Sequence, residues 1–264
     1  MHRWMAAASI FTAMTFSTAA LAATQDGNNG TKPTIILVHG AFAGSSSWNG
    51  VIKDLSRDGY RVIAAANPLR SVKGDAEYVA RLVASISGPV VLVGHSYGGE
   101  VISVAAVGQR NVKALVFVAG HAPDVGESAG SLGDKFPTGT LGQTLAPPVE
   151  LADGSKDVYI DQARYWKQFA ADVSKDDALN MAVTQRPITQ SALAEPAESQ
   201  SWKTTPSWFV WGSLDRNIPA ALHAFMAKRA NAKEAIEIPG ASHVVMITHP
   251  KAVADLIERA AEAR

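Results

Sequence analysis

The chain has 264 residues, 47% of them hydrophobic, and its 24 basic and 24 acidic side chains cancel to a formal net charge of zero. That length and apolar content are enough for one α/β domain with a sizeable core. Charged residues make up only 18%, with no basic stripe and no acidic tail, which argues against nucleic acid or an anionic membrane surface as a partner.

The chain opens on Met1-His2-Arg3, a short cationic start, followed by an apolar run from Trp4 to Phe16 and the small-x-small triplet Ala20-Leu21-Ala22. This pattern predicts a secretory signal peptide over residues 1–22, cut after Ala22 or, almost as readily, after Ala23. The apolar run is too short for a comfortable membrane span, which places an uncleaved anchor second to cleavage. No stable membrane insertion is expected after cleavage, and a bacterial periplasmic or secreted protein is the natural reading. The lack of cysteine is compatible with export, because a domain of this size can stand on its core alone. Residues 23–32, rich in Gln, Asn, Asp and Gly, read as a flexible leader.

From Pro33 onward strand and helix alternate. Thr34–Val38 is a short branched run typical of a buried strand. Trp48, Val51, Ile52 and Leu55 then follow helical spacing. Tyr60–Ala65 is the next strand, closed by Asn67-Pro68. A helix beginning at Asp75 presents Tyr78, Val79, Leu82, Val83 and Ile86 on one face. Pro89–Val93 is a strand, Ser96 to about Gln109 a helix, and Val112–Val118 a strand. Between about His121 and Thr205 the alternation lapses. This stretch holds a helix over Asp161–Val173 with Tyr165, Trp166 and Phe169, and a second that opens at Ser174, with Asp177 three residues on as in a capping box, and stops at Pro187. The alternation resumes with strands at Ser207–Trp211 and Glu234–Ile238 and helices at Pro219–Ala230 and Pro250–Ala263. The order predicts an α/β fold, a mostly parallel sheet with helices on both faces. Residues 33–120 and 206–264 form its core, and residues 121–205 a small helical cap over the carboxyl edge of the strands, where such sheets bind ligands.

One motif points to chemistry. Gly94-His95-Ser96-Tyr97-Gly98-Gly99 directly follows an apolar strand and precedes an apolar helix, the context of a Gly-x-Ser-x-Gly nucleophile elbow. A serine hydroxyl is a poor nucleophile at neutral pH; it needs a base, a group to orient the base, and donors for the oxyanion. His243, in the loop after the Glu234–Ile238 strand, fits the base; His249, the other histidine nearby, precedes Pro250 and reads as a helix start. Asp215, in the loop after the Ser207–Trp211 strand, fits the orienting acid, with Asp124 second in line. The chain order Ser, Asp, His is that of the hydrolase elbow and differs from the chymotrypsin and subtilisin orders. The oxyanion donors should be the amide of Tyr97 and one amide from the loop after the first strand, Ala41 first and Phe42 second. His39 reads as a structural histidine holding that loop, and His95 and His121 as structural or pocket-lining. Phe42, His121, Phe136, Trp166 and Phe169 are the expected pocket, which suits an apolar substrate of modest size. No cysteine, no His-Glu-x-x-His and no Gly-x-Gly-x-x-Gly after the first strand occurs, so neither a metal nor a dinucleotide cofactor is expected.

Together these residues resemble the α/β-hydrolase superfamily over roughly Pro33 to Ala263. Val38-His39-Gly40-Ala41-Phe42 followed by Trp48 is similar to its small serine esterase and hydroxynitrile-lyase-like branch. The resemblance implies the α/β-hydrolase fold, here with a six-stranded sheet because too few residues precede Thr34 for the usual first hairpin. It also implies a serine hydrolase that cleaves carboxylic esters, with a small apolar ester-type substrate, through an acyl-enzyme; the signal-peptide pattern adds that it is secreted. Ser96 at the elbow sets the chain apart from the aspartate-bearing dehalogenases and epoxide hydrolases of the superfamily. Plant hydroxynitrile lyases of this branch carry threonine after the first-strand histidine and lysine after the catalytic histidine; here these positions are Gly40 and Val244, which weakens a lyase reading. A perhydrolase with the same triad, and a ligand-binding protein with little turnover, are also compatible with these residues.

Overall fold

The computed structural model describes residues 32–263. The expected signal peptide, and the leader except for Lys32, lie outside the described residues.

In chain order the strands are β1 (Thr34–Val38), β2 (Val62–Ala65), β3 (Val90–His95), β4 (Val112–Val118), β5 (Val149–Glu150), β6 (Lys156–Val158), β7 (Ile188–Thr189), β8 (Ser207–Gly212) and β9 (Glu234–Ile238). The helices are α1 (Asn49–Arg57), α2 (Val72–Ala84), α3 (Tyr97–Ala105), α4 (Ala129–Lys135), α5 (Gln162–Phe169), α6 (Lys175–Val183), α7 (Gln190–Ala194), α8 (Ala220–Arg229), α9 (Val245–Thr248) and α10 (Pro250–Glu262).

Six strands form one all-parallel sheet in the order β2-β1-β3-β4-β8-β9. Its inner strands are covered on both faces and therefore carry no polar alternation: every residue of β1, β3 and β8 is buried. Edge strand β9 instead alternates in exposure along Glu234–Ile238. Helices α1 and α10 pack on each other, as do α2 and α3. The chain leaves β1 to one side to make β2, then crosses back to place β3 on the other side. The crevice between the β1 and β3 carboxyl ends is thus the topological switch point, the usual ligand position in open α/β sheets.

Helix boundaries follow local capping. α2 starts three residues before the expected Asp75, because the Ser71 hydroxyl accepts from the Gly74 amide at 3.0 Å and caps the helix there. α6 begins where its capping residues indicate, with Ser174 Oγ accepting from the Asp177 amide at 3.1 Å. The stretch between β4 and β8 is not purely helical. It also holds an antiparallel three-stranded sheet, β5-β6-β7, whose strands of two or three residues are too short to show a period in sequence. The described residues belong to one compact unit.

Candidate active site

Ser96 follows the last residue of β3 and caps α3, with φ 52° and ψ −123°. A non-glycine residue rarely takes this conformation, and the surrounding backbone must hold it there. The Ser96 amide donates to the carbonyls of Val118 and Ala119 at 3.3 and 3.1 Å, and its own carbonyl accepts from the amides of Gly99 and His121 at 2.9 and 3.0 Å. Glycine is required because the turn is crowded. A Cβ on Gly94 would strike the Gly98 carbonyl, and one on Gly98 the Val38 carbonyl. A Cβ on Gly40 would lie 2.6 Å from that of Ser96 and 3.2 Å from the Tyr97 nitrogen, so the loop after β1 rests directly on the elbow.

That contact brings together the two amides expected to face an oxyanion. Among the described residues, neither the Ala41 nor the Tyr97 amide donates to another backbone group. Phe42, the second choice for this role, is corrected: its amide donates to the Arg186 carbonyl at 2.9 Å and is not free. The Phe42 carbonyl accepts from the Tyr165 hydroxyl at 2.8 Å, so both polar groups of this left-handed residue (φ 60°) are tied to the β4–β8 stretch. His39 holds the same loop, as expected. Its Nδ1 donates to the Gly40 carbonyl at 2.9 Å and its Nε2 accepts from Arg186 at 3.1 Å. Burial first, and the Arg186 charge, lower its pKa to about 4 against the hydrogen bond to Gly40, so the ring is neutral at neutral pH.

On the opposite side His243, in the loop after β9, is fully buried. Its Nδ1 donates to Asp215 Oδ2 at 2.7 Å, which leaves the lone pair on Nε2. Nε2 is buried with no hydrogen-bond partner among the described residues, so Ser96 and His243 are not joined by a hydrogen bond in this structure. The His243 carbonyl accepts from His95 Nε2 at 3.2 Å, and the two rings lie 4.7 Å apart. His95, next to Ser96 in sequence, therefore fixes the loop that carries His243. Asp215 Oδ1 accepts from the amides of Asn217 and Ile218 at 2.8 and 3.0 Å, and Oδ2 accepts additionally from His223 Nε2 at 3.1 Å. Burial by itself would raise the Asp215 pKa; His243 and His223 together outweigh it and hold the carboxyl below its usual range. Asp124, the other candidate acid, points elsewhere and pairs with Lys203 at 2.7 Å.

A cavity of about 460 Å³ opens over Ser96. Phe42, His121 and Phe136 line it, together with Leu193, Ile218 and Leu222. Trp166 and Phe169 do not, which corrects the expected pocket. Trp166 turns its Nε1 to the Val173 carbonyl at 3.0 Å. Phe169 is fully buried behind the site, its ring 5.1 Å from that of His243 and 6.2 Å from that of Phe42. His121 is neutral at neutral pH: burial, reinforced by His223 and His243, lowers its pKa to about 3 against the pull of Asp215.

Three residues of the site carry no signal in the sequence. His223, on the buried face of α8, looks like an ordinary core position among Leu222, Met226 and Ala227. Arg186 reaches His39 from 147 residues away. Asp75 reads in sequence only as a helix start, yet it is buried and accepts from the Tyr97 hydroxyl at 3.0 Å. No local pattern marks any of the three. Among the described residues no group of His, Asp and Glu is arranged to hold a metal ion.

An elbow at the switch point, with a buried acid–histidine pair carried by the loops after the last two sheet strands, is the layout of one large class of enzymes. The chain belongs to the alpha/beta hydrolase family, whose model matches residues 35–256. It is 28% identical over 264 residues to the esterase PIR7B of Oryza sativa subsp. japonica, covering 87% of this chain and 96% of that protein. It is 24% identical over 245 residues to an alpha-hydroxynitrile lyase of Arabidopsis thaliana, covering 85% and 95%. The fold matches a crystal structure of polyneuridine aldehyde esterase with a TM-score of 0.75 at 19% identity, covering 86% of this chain and 98% of that one.

Proposed function

We propose that the protein is a serine hydrolase that cleaves small carboxylic esters, with Ser96, His243 and Asp215 as its triad. One observation carries the reading: Asp215 fixes His243 so that its Nε2 is a buried acceptor with no partner among the described residues, a costly arrangement unless a proton donor visits it. In this reading the Ser96 hydroxyl is that donor, because hydrogen bonds of this kind are often loose before substrate binds and tighten afterwards.

His243 Nε2 takes the Ser96 proton as Oγ attacks the ester carbonyl. The amides of Ala41 and Tyr97 receive the oxyanion, and Asp215 stays ionised against the imidazolium. His243 then passes its proton to the departing alkoxide and an acyl-enzyme remains. Water, deprotonated by the same Nε2, attacks the acyl carbon and frees the acid and Ser96. The apolar walls of the cavity suit a substrate of modest size. Among the described residues no lysine or arginine lines it, and Val244 is fully buried beside His243. Plant hydroxynitrile lyases of this branch carry lysine at the position of Val244, and its absence favours the ester reading.

Two further parts belong to this proposal. Residues 121–205 act as a cap that shapes the cavity, and the N-terminal 22 residues direct export. Among the described residues no helix is long and apolar enough to cross a membrane.

The test is intact-mass labelling of the mature protein with a fluorophosphonate, beside Ser96→Ala and His243→Ala, followed by a panel of short-chain esters. A single adduct on Ser96, lost in both variants, with turnover of esters is the expected result. A folded wild-type protein that takes no label and cleaves no ester refutes the reading.

A further inference from the structure

A triad carboxylate needs one imidazole; Asp215 has two. Its Oδ2 lies 2.7 Å from His243 Nδ1 and 3.1 Å from His223 Nε2, while two amides fill Oδ1. An ionised carboxylate can only accept, so both ring nitrogens carry hydrogen, and His223 is the Nε2–H tautomer. The fold holds His223 in this position from several sides. α8 starts directly after the loop that bears Asp215, and the His223 amide donates to the Pro219 carbonyl at 3.2 Å. The His223 ring stacks on Trp211 at 5.7 Å and 20°, and Trp211 is itself pinned through Nε1 to Glu237 at 3.1 Å. The ring is 1% exposed, and burial lowers its pKa against the pull of Asp215. It therefore donates to the carboxylate without bringing a positive charge.

We propose that His223 is a second positioning residue of the site: its Nε2–H fixes the orientation of the Asp215 carboxylate and moderates how strongly it holds the proton on His243. The proposal rests on the serine-hydrolase reading. Its logic is that of any shared acceptor. One carboxylate oxygen supplies two hydrogen bonds, so its negative charge is divided between two donors. With His223 removed, Oδ2 pulls harder on the His243 proton, and the carboxylate loses one of four contacts that stop it turning. The other groups that face this cluster are His95 at the end of β3, His121 after β4, and Glu237 on β9 through Trp211. All three stay in place in the experiment below.

The experiment compares His223→Phe, which keeps the ring and loses the donor, with His223→Gln, which keeps an N–H. Initial rates on a short-chain ester are measured from pH 5 to 9, with Tm recorded for each variant. For the Phe variant kcat falls about 10-fold with KM within about two-fold, and the acidic limb of activity moves up by about one pH unit. The Gln variant stays near wild type in both. A Phe variant whose acidic limb does not move, or a Gln variant as impaired as Phe, overturns the proposal. A second measurement needs no substitution: ¹⁵N imidazole NMR of the wild-type protein should show His223 protonated on Nε2 and neutral across the active pH range. Finding the hydrogen on Nδ1, or a cationic ring, also overturns it. The hydrolase reading fails separately, through absence of labelling and turnover in wild type, and the ring tautomer is read independently of that result.

Discussion

The two sides of the site are built from different materials. The Ser96 side is backbone: a left-handed serine, amides from two loops, and glycines packed so tightly that a methyl group has nowhere to go. The Asp215–His243 side is side chain, a hydrogen-bond network in which both oxygens of the acid are filled. Two buried carboxylates show the contrast. Asp215 is surrounded by donors. Glu100, on α3 four residues after Ser96, is equally buried, yet among the described residues neither of its oxygens has a well-formed hydrogen bond. A site framed by backbone should lose shape and stability together when disturbed. A site framed by side chains can lose chemistry and keep its fold.

The sharpest test is a pair of substitutions, one on each side. Asp215→Asn should lower kcat by about 10³ to 10⁴-fold, because the amide leaves His243 poorly oriented and its imidazolium unsupported. Its Tm should move by only a few degrees, since the side chain keeps its size. Gly40→Ala should behave differently. With its new Cβ at 2.6 Å from that of Ser96, the loop must shift, at a cost of about 1 to 3 kcal/mol, or about 3 to 10 °C in Tm for a chain of this length. Activity should fall with it as Ala41 leaves its place beside Tyr97. Calorimetry and ester turnover on the two purified variants decide the matter. Equal loss of stability in both would erase the distinction.

The same contrast explains what is legible in the sequence. Short branched strands, the glycines around Ser96, and the loop positions of Asp215 and His243 are local signals, so the residues alone locate the sheet and the acid–histidine pair. Features that depend on distant chain segments stay hidden. Phe42 has the loop position of a free donor, but Arg186, far along the chain, takes its amide. Trp166 and Phe169 sit on α5 at a spacing that suits either a pocket or a core, and only packing shows that Phe169 backs His243 and does not face the cavity. His223 has no motif at all; its role exists because α8 folds back over Asp215.

Buried histidines link the two sides through pH. His39, on the serine side, is lowered to about 4 and His121 to about 3, while His95 and His223 are also lowered, in each case chiefly by burial. In the unfolded chain these rings take up protons below about 6.5; in the folded protein they do not. The unfolded state therefore binds more protons, and stability falls as pH drops from about 6.5 toward 4. Asp215, held below the carboxylate range, adds to the loss only at still lower pH, once the unfolded-state carboxyl begins to protonate. Thermal unfolding between pH 7.5 and 4 should show a steady decline in Tm beginning near 6.5. A flat profile over that interval would mean the rings are not buried as neutral groups.

The smallest effect belongs to Glu100 and runs in the opposite direction. Burial first, then the nearby Glu195, raises its pKa well above the ordinary 4.5, and the neighbouring Ala129 backbone opposes only part of this. A carboxyl raised in the folded state contributes stability that is complete below the unfolded-state pKa and is lost as pH rises toward the folded value. At pH 8 the protein thus bears the cost of an acid it must keep protonated or bury charged; at pH 4.5 it scarcely does. Glu100→Gln keeps the shape and removes the titration. It should raise Tm by a few degrees at pH 8 and by less than one at pH 4.5, with turnover little changed because Glu100 does not line the cavity. A gain of equal size at both pH values would trace the effect to packing and remove charge from the explanation. A loss at pH 8 would mean that the carboxylate finds a partner in solution, and that the serine side, like the other, satisfies its buried acid.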